Sequence, residues 1–263
     1  MMHGESSAAS WCSSSDMKNQ SITSVLLLLT LVSTLGAQDR EALPTAEGVI
    51  AKMSARNSER RMQHAGYLGM REYVLQNDRF HKHAEMVVRV EGDTNEAKHF
   101  EVLREKGWQA ARKHVLYKML KSEEEASAPT IRGTTELNAN NYTFSMVGTA
   151  VIGSRMTFVI DVIPRRHDEH LFEGRVWIDA QDYALARVEG RPAKNPSFWI
   201  RSVHFIHVYQ KSGPFWFPQT TESVTEARIF GETSLTINYF DYTPRPLDSS
   251  ETASAAPPGG ASQ

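Results

Sequence analysis

Between residues 67 and 102 apolar and polar side chains alternate with a period of two, the mark of strands with one buried face. Leu68, Met70 and Val74 share a face of the first run, with Glu72 intruding among them. Met86, Val88 and Val90 oppose Glu85, Arg89 and Glu91, and Phe100 and Val102 continue the series. Asn77-Asp78 and Glu91-Gly92-Asp93 supply turn chemistry between the runs. The second half alternates more cleanly. Met156, Phe158, Ile160 and Val162 stand against Arg155, Thr157 and Asp161, and Phe172, Val176 and Ile178 against Glu173 and Arg175. Ala184, Ala186 and Val188 stand against Arg187 and Glu189, and Leu235, Ile237 and Tyr239 against Ser234, Thr236 and Asn238. Runs over 198–209 and 219–229, with breaks at Gly213-Pro214 and Phe230-Gly231-Glu232, complete the set. Short strands in succession predict an antiparallel sheet or barrel, not a doubly wound fold.

Two stretches switch to helical spacing. In residues 45–62 Val49, Ile50 and Met53 form a stripe behind Thr45 as N-cap, with Glu47 in the first turn. Arg60 and Arg61 fall in the last turn and read as a solvated helix end in preference to an anion site. In residues 109–121 Val115, Leu116, Met119 and Leu120 form a second stripe, a helix that plugs the sheet. Residues 122–130 read as a charged loop ending at Pro129. The predicted class is mainly β (α+β): a curved antiparallel sheet or incomplete β-barrel around a helical plug.

The N-terminal segment sets the compartment. Lys18 precedes an apolar run from Ile22 to Val32, and the small residues Gly36 and Ala37 follow. Residues 1–37 therefore read as a secretory signal peptide cleaved after Ala37, with 1–16 as an upstream leader and Met17 as the start. A single membrane anchor is the rival, but the apolar run is shorter than the ~20 residues a bilayer requires. The expected location is the periplasm. Residues 38–246 form one domain, and residues 247–263, rich in Ser, Ala and Pro, form a disordered tail.

Composition then removes several function classes. The only cysteine is Cys12, so the exported chain has no disulfide, Fe–S cluster, thiol nucleophile or lipid-modified N-terminus. A net charge of −2 argues against nucleic acid as partner. No nucleotide, metal or other cofactor is expected. His81 and His83 share a strand face, His167 and His170 bracket a loop, and His204 and His207 point to opposite faces, so no pair gathers a third ligand. Asp179 and Asp182 flank a tight turn and read as turn-formers before they read as a catalytic pair. No nucleophile-elbow or Ser-x-x-Lys motif occurs, and no catalytic residue is assigned. A transmembrane β-barrel is disfavoured by runs too short for a bilayer and by the interrupting helices.

The residues from Asn141 to Tyr242 carry a resemblance. They include Phe158-Val159-Ile160-Asp161-Val162-Ile163-Pro164, then Gly174-Arg175-Val176-Trp177-Ile178-Asp179, then Tyr183 and Arg187-Val188-Glu189-Gly190. Trp216-Phe217-Pro218 and Ile237-Asn238-Tyr239-Phe240-Asp241-Tyr242 follow. This order resembles the LolA/LolB/RseB-like superfamily of exported bacterial proteins, in particular outer membrane lipoprotein-sorting proteins. Over residues 45–130 the likeness is architectural only. The resemblance implies a LolA-like half-barrel with an apolar interior open to acyl chains, and no catalytic residues. Gly174 and Gly190 fall where a bent strand must avoid a Cβ clash.

The expected function is an exported carrier or chaperone for an apolar ligand, most plausibly the acyl chains of a lipoprotein, and not an enzyme. The expected apolar lining is Met86, Val88, Met156, Phe158, Ile160, Val176 and Ile237. The alternative is an envelope sensor or interaction module that binds a partner protein, with Glu123, Glu124 and Glu125 at the contact.

Overall fold

The computed structural model describes residues 43–247. Residues 1–42 and 248–263, which contain the expected signal peptide (1–37) and all but the first residue of the expected tail (247–263), lie outside them. Helix α1 (Ala46–Arg61) begins where Thr45 Oγ1 accepts from the Gly48 N–H at 3.2 Å, which satisfies one of the free donors of the first turn. Ala46, Val49, Ile50 and Met53 are its buried stripe.

Ten strands follow: β1 (Tyr67–Asn77), β2 (Lys82–Gly92), β3 (Lys98–Gly107), β4 (Tyr142–Ile152), β5 (Arg155–Pro164), β6 (Phe172–Asp179), β7 (Leu185–Pro192), β8 (Ile200–Ser212), β9 (Phe215–Ala227) and β10 (Gly231–Pro244). Their order in one sheet is β3-β2-β1-β10-β9-β8-β7-β6-β5-β4, with every neighbour antiparallel. β3 and β4 are free edges, so the sheet is open. The chain crosses from one edge to the other through α2 (Gln109–Ala111), a π-helical turn (Arg112–Leu116), α3 (Tyr117–Ser127) and α4 (Pro129–Thr135).

The helices divide the interior in two. Helix α1 covers β4 to β7, packing with Tyr142, Phe144, Ile160, Val162, Val176 and Ile178. Ala111, Leu116 and Leu120 cover β1, β2 and β10, packing with Tyr73, Leu75, Met86, Val88, Leu235 and Ile237. Strands β8 and β9, in the middle of the sheet, lie between the two cores, and Phe217 is their only buried apolar residue.

The glycine expectation takes a specific form. Gly174 and Gly190 face each other in register across β6 and β7. A Cβ on Gly174 would stand 2.1 Å from the Glu189 carbonyl oxygen, and one on Gly190 would stand 2.4 Å from that of Glu173. The two strands come too close for any side chain at this point.

Two local expectations are corrected. Strand β1 buries Gly69, Arg71, Tyr73, Leu75 and Asn77, the face opposite to Leu68, Met70 and Val74. Its inner face carries a guanidinium and an amide, which inverts the hydropathy pattern. Residues 122–130 are not a loop: α3 runs through Ser127, only Ala128 interrupts, and Pro129 opens α4 at a position where its missing N–H costs nothing. The π-helical turn explains the altered stripe. Ala111 and Leu116 are buried five residues apart across it, and Val115 is left 40% exposed.

Candidate functional site

The gap between the two cores is a cavity of about 480 Å³. Its floor is β7 to β10 with β1, through Ala184, Leu185, His207, Tyr209, Phe215, Trp216, Phe217, Pro218, Tyr239, Tyr242, Tyr67 and Arg71. One wall is the end of α1 with Asn57, Arg60, Arg61 and His64. The other is Glu96, Lys98, Glu123, Ala126, Ser127 and Arg132, from the β2–β3 turn, β3, α3 and α4.

Rings form a continuous path across the floor. His64 meets Phe215 at 5.3 Å, Phe215 meets Phe217 at 6.1 Å, and Phe217 meets Tyr242 at 5.4 Å. The path continues through Tyr239 at 6.1 Å and His207 at 5.7 Å to Tyr209 at 4.7 Å. Burial holds the Tyr209 phenol up at about 12 and pushes the His207 imidazole down to about 4, so both are neutral at neutral pH.

Charge is concentrated on the two walls and at Arg71 on the floor. Arg71, 2% exposed, donates from Nη1 to Glu123 Oε2 at 2.7 Å and from Nε to the Tyr242 hydroxyl at 2.8 Å, and its guanidinium lies over the rings of Tyr239 and Phe100. Lys98 Nζ reaches the other Glu123 oxygen at 2.6 Å. Burial would raise the Glu123 carboxyl, but Lys98 and Arg71 outweigh it and hold the group well below the carboxylate range. Glu96 is shared in the same way, by Arg61 at 3.4 Å and Arg132 at 3.1 Å. Arg60 donates only to neutral oxygens: the Asn57 side chain at 3.1 Å and the Asp182 carbonyl. Five cations thus face two carboxylates on the lining, an excess of three positive charges.

Asp179 and Asp182 behave as turn-formers and more. Asp179 accepts from the Gln181 and Asp182 N–H groups at 3.0 and 2.7 Å and pairs with Arg155. Asp182 accepts from Trp216 Nε1 at 3.0 Å and from Lys211 Nζ at 2.7 Å, which fixes the indole in the cavity wall. Among the described residues, no group of three or more His, Cys, Asp or Glu is placed to hold a metal ion.

The sequence model of a family of unknown function, DUF5686, matches residues 135–243, nearly the stretch that carries the sequence resemblance. No curated protein matches the chain in sequence. Among solved structures, a LolA superfamily protein from Nitrosomonas europaea is 10% identical, with 79% of this chain and 97% of that one covered and a TM-score of 0.42. A DUF1329 family protein from Desulfovibrio piger is 8% identical, with 79% and 95% covered and a TM-score of 0.41. A domain assigned to an outer membrane lipoprotein-sorting protein from Vibrio parahaemolyticus is 13% identical, with 78% and 95% covered and a TM-score of 0.40.

None of the seven residues expected to line the interior faces the cavity. Met86, Val88, Ile160 and Val176 are fully buried beneath the helices, and Ile237 is 5% exposed among them. Phe158 is half-buried, stacked on Tyr183 at 6.1 Å, and Met156 is 58% exposed. Clean apolar alternation marks the strand faces that helices cover, whereas the uncovered middle carries phenols, indole and guanidinium. All three residues of the Phe215-Trp216-Phe217 run line it. Glu123 is corrected as a partner contact: it turns inward to Arg71 and Lys98, while Glu124 pairs with His99 and Glu125 with Lys121. Arg60 and Arg61 are corrected as a solvated helix end, since both stand in the cavity wall.

Proposed function

We propose that this protein is an exported, non-enzymatic carrier that shelters the acyl part of a lipid or lipoprotein in the cavity between its two cores. The observation that carries the reading is the path of rings from His64 to Tyr209 along the floor of a 480 Å³ hollow. Aromatic walls give an acyl chain broad contact at low entropic cost, and each buried methylene contributes about 0.8 kcal/mol. Lys18, the apolar run to Val32 and the small residues before Gln38 support export. No helix among the described residues is long and apolar enough to cross a membrane.

Native mass spectrometry and solvent extraction of the purified chain test the carrier reading. Retained fatty-acyl species, or uptake of an acyl probe that quenches tryptophan emission in the native chain and quenches less of it with Trp216→Phe, support it. A clean apo protein that takes up no acyl probe overturns it.

A second reading, an interaction module for an envelope protein, has its own observation. Phe198 and Trp199 are 76% and 56% exposed, are not among the residues that line the cavity, and pack edge-on at 5.6 Å. A protein captured from an envelope extract and lost with Phe198→Ala and Trp199→Ala would favour this reading, provided no lipid accompanies the purified chain.

A further inference from the structure

We infer that the cavity selects an anionic amphiphile, whose negatively charged head binds the α1 wall while its apolar tail lies on the rings. This inference rests on the carrier reading and adds to it the charge of the cargo. A purely hydrocarbon interior would need no charges, yet this lining has five cations and two carboxylates. The two carboxylates cannot neutralise the set. Glu123 is divided between Arg71 and Lys98, Glu96 between Arg61 and Arg132, and Arg60 binds only amide and carbonyl oxygens. Arg132 also reaches Glu136, at 3.8 Å, outside the lining.

The surplus matters because of where it sits. Walls of rings lower the local dielectric, and a concave surface focuses the field of fixed charges into the enclosed volume. A neutral amphiphile entering the cavity strips water from these cations and returns nothing. A carboxylate or phosphate head restores the lost interactions, and the planar donor fork of arginine matches both. Arg60 and Arg61 stand next to His64, where the ring path begins, so the head and tail subsites are contiguous. The inverse pairing, a cationic amphiphile, would meet a lining with three more cations than carboxylates.

Calorimetric titration of the full chain with four chain-matched probes tests this: decanoate, decyl phosphate, decanol and decylammonium, all below micelle formation. Decanoate and decyl phosphate are expected to bind at least about tenfold more tightly than decanol, with decylammonium weakest. Raising the salt should narrow the gap by screening, without weakening decanol. The better of the two anions identifies the head. Arg60→Gln should weaken decanoate by about fivefold and leave decanol unchanged, whereas Glu96→Gln should strengthen decanoate. Opposite signs from two neighbouring substitutions are not what loss of structure would give. Equal affinity for decanoate and decanol, or both variants moving in one direction, overturns the anionic preference and leaves the carrier reading standing. Failure of all four probes to bind overturns the carrier reading itself.

Discussion

Arg71 is the residue on which the cavity turns. Inward-facing on a central strand, it costs desolvation that Glu123 and three phenols must offset. Removing the carboxylate would leave both Arg71 and Lys98 without a countercharge. Glu123→Gln should therefore lower unfolding free energy by about 2–3 kcal/mol, a value kept small because the Glu123 side chain is a third exposed. Urea denaturation at neutral pH measures it. Titration separates two groups here. Glu123 has a folded value below its ordinary 4.5, so its stabilisation is present above that value and lost as pH falls below it. His207, lowered from 6.5 to about 4 by burial, takes up a proton more readily when unfolded. Its stabilisation is present above pH 6.5 and is lost between 6.5 and 4. Stability should thus fall in two successive windows on acidification, and His207→Gln should flatten the upper one alone.

At the scale of elements, the β6–β7 pair is held close by absence of side chains. Gly174→Ala or Gly190→Ala sets a methyl against a backbone carbonyl that cannot swing aside, and each should cost about 2–3 kcal/mol in a thermal or urea melt. Gly133→Ala in α4 is the contrast: its Cβ would meet nothing within 4 Å, so helix propensity should make it stabilising by about 0.5–1 kcal/mol. The same scale explains what was legible beforehand. Helix α1 announced itself through Thr45, Glu47 and a three-residue apolar stripe, and the strands around Met86, Ile160, Val188 and Ile237 through clean alternation. Strand β1 did not, because the partner that makes Arg71 tolerable inside is Glu123, 52 residues away on a helix. The π-helical turn was hidden as well, since an i,i+5 step has no residue signature apart from the packing it serves. Alternation points away from the cavity wall for one reason: periodicity reports which faces are covered, and a ligand site is a face that nothing in the chain covers.

Taken whole, the sheet is stapled near its two ends and left open in between. Covering helices supply β2, β5 and β6 with fully buried side chains, whereas β8 has none along its 13 residues despite having a neighbour on each side. Central position in a sheet normally means the slowest amide exchange, because opening a strand there must break two ladders. Local stability, however, follows buried apolar contact more closely than ladder position. Amides of β8, between Val203 and Tyr209, should therefore exchange faster in the unliganded protein than those of β2 between Ala84 and Val90, an inversion that hydrogen-exchange mass spectrometry resolves by peptide. An occupant lying on Phe217, Tyr239 and His207 would supply the missing cover. Saturating decanoate should slow exchange selectively in β8 and β9 and leave β2 and β5 unchanged. If β8 already exchanges as slowly as β2 without ligand, the middle of the sheet is self-sufficient, and a cavity that exists to be filled is the wrong description of it.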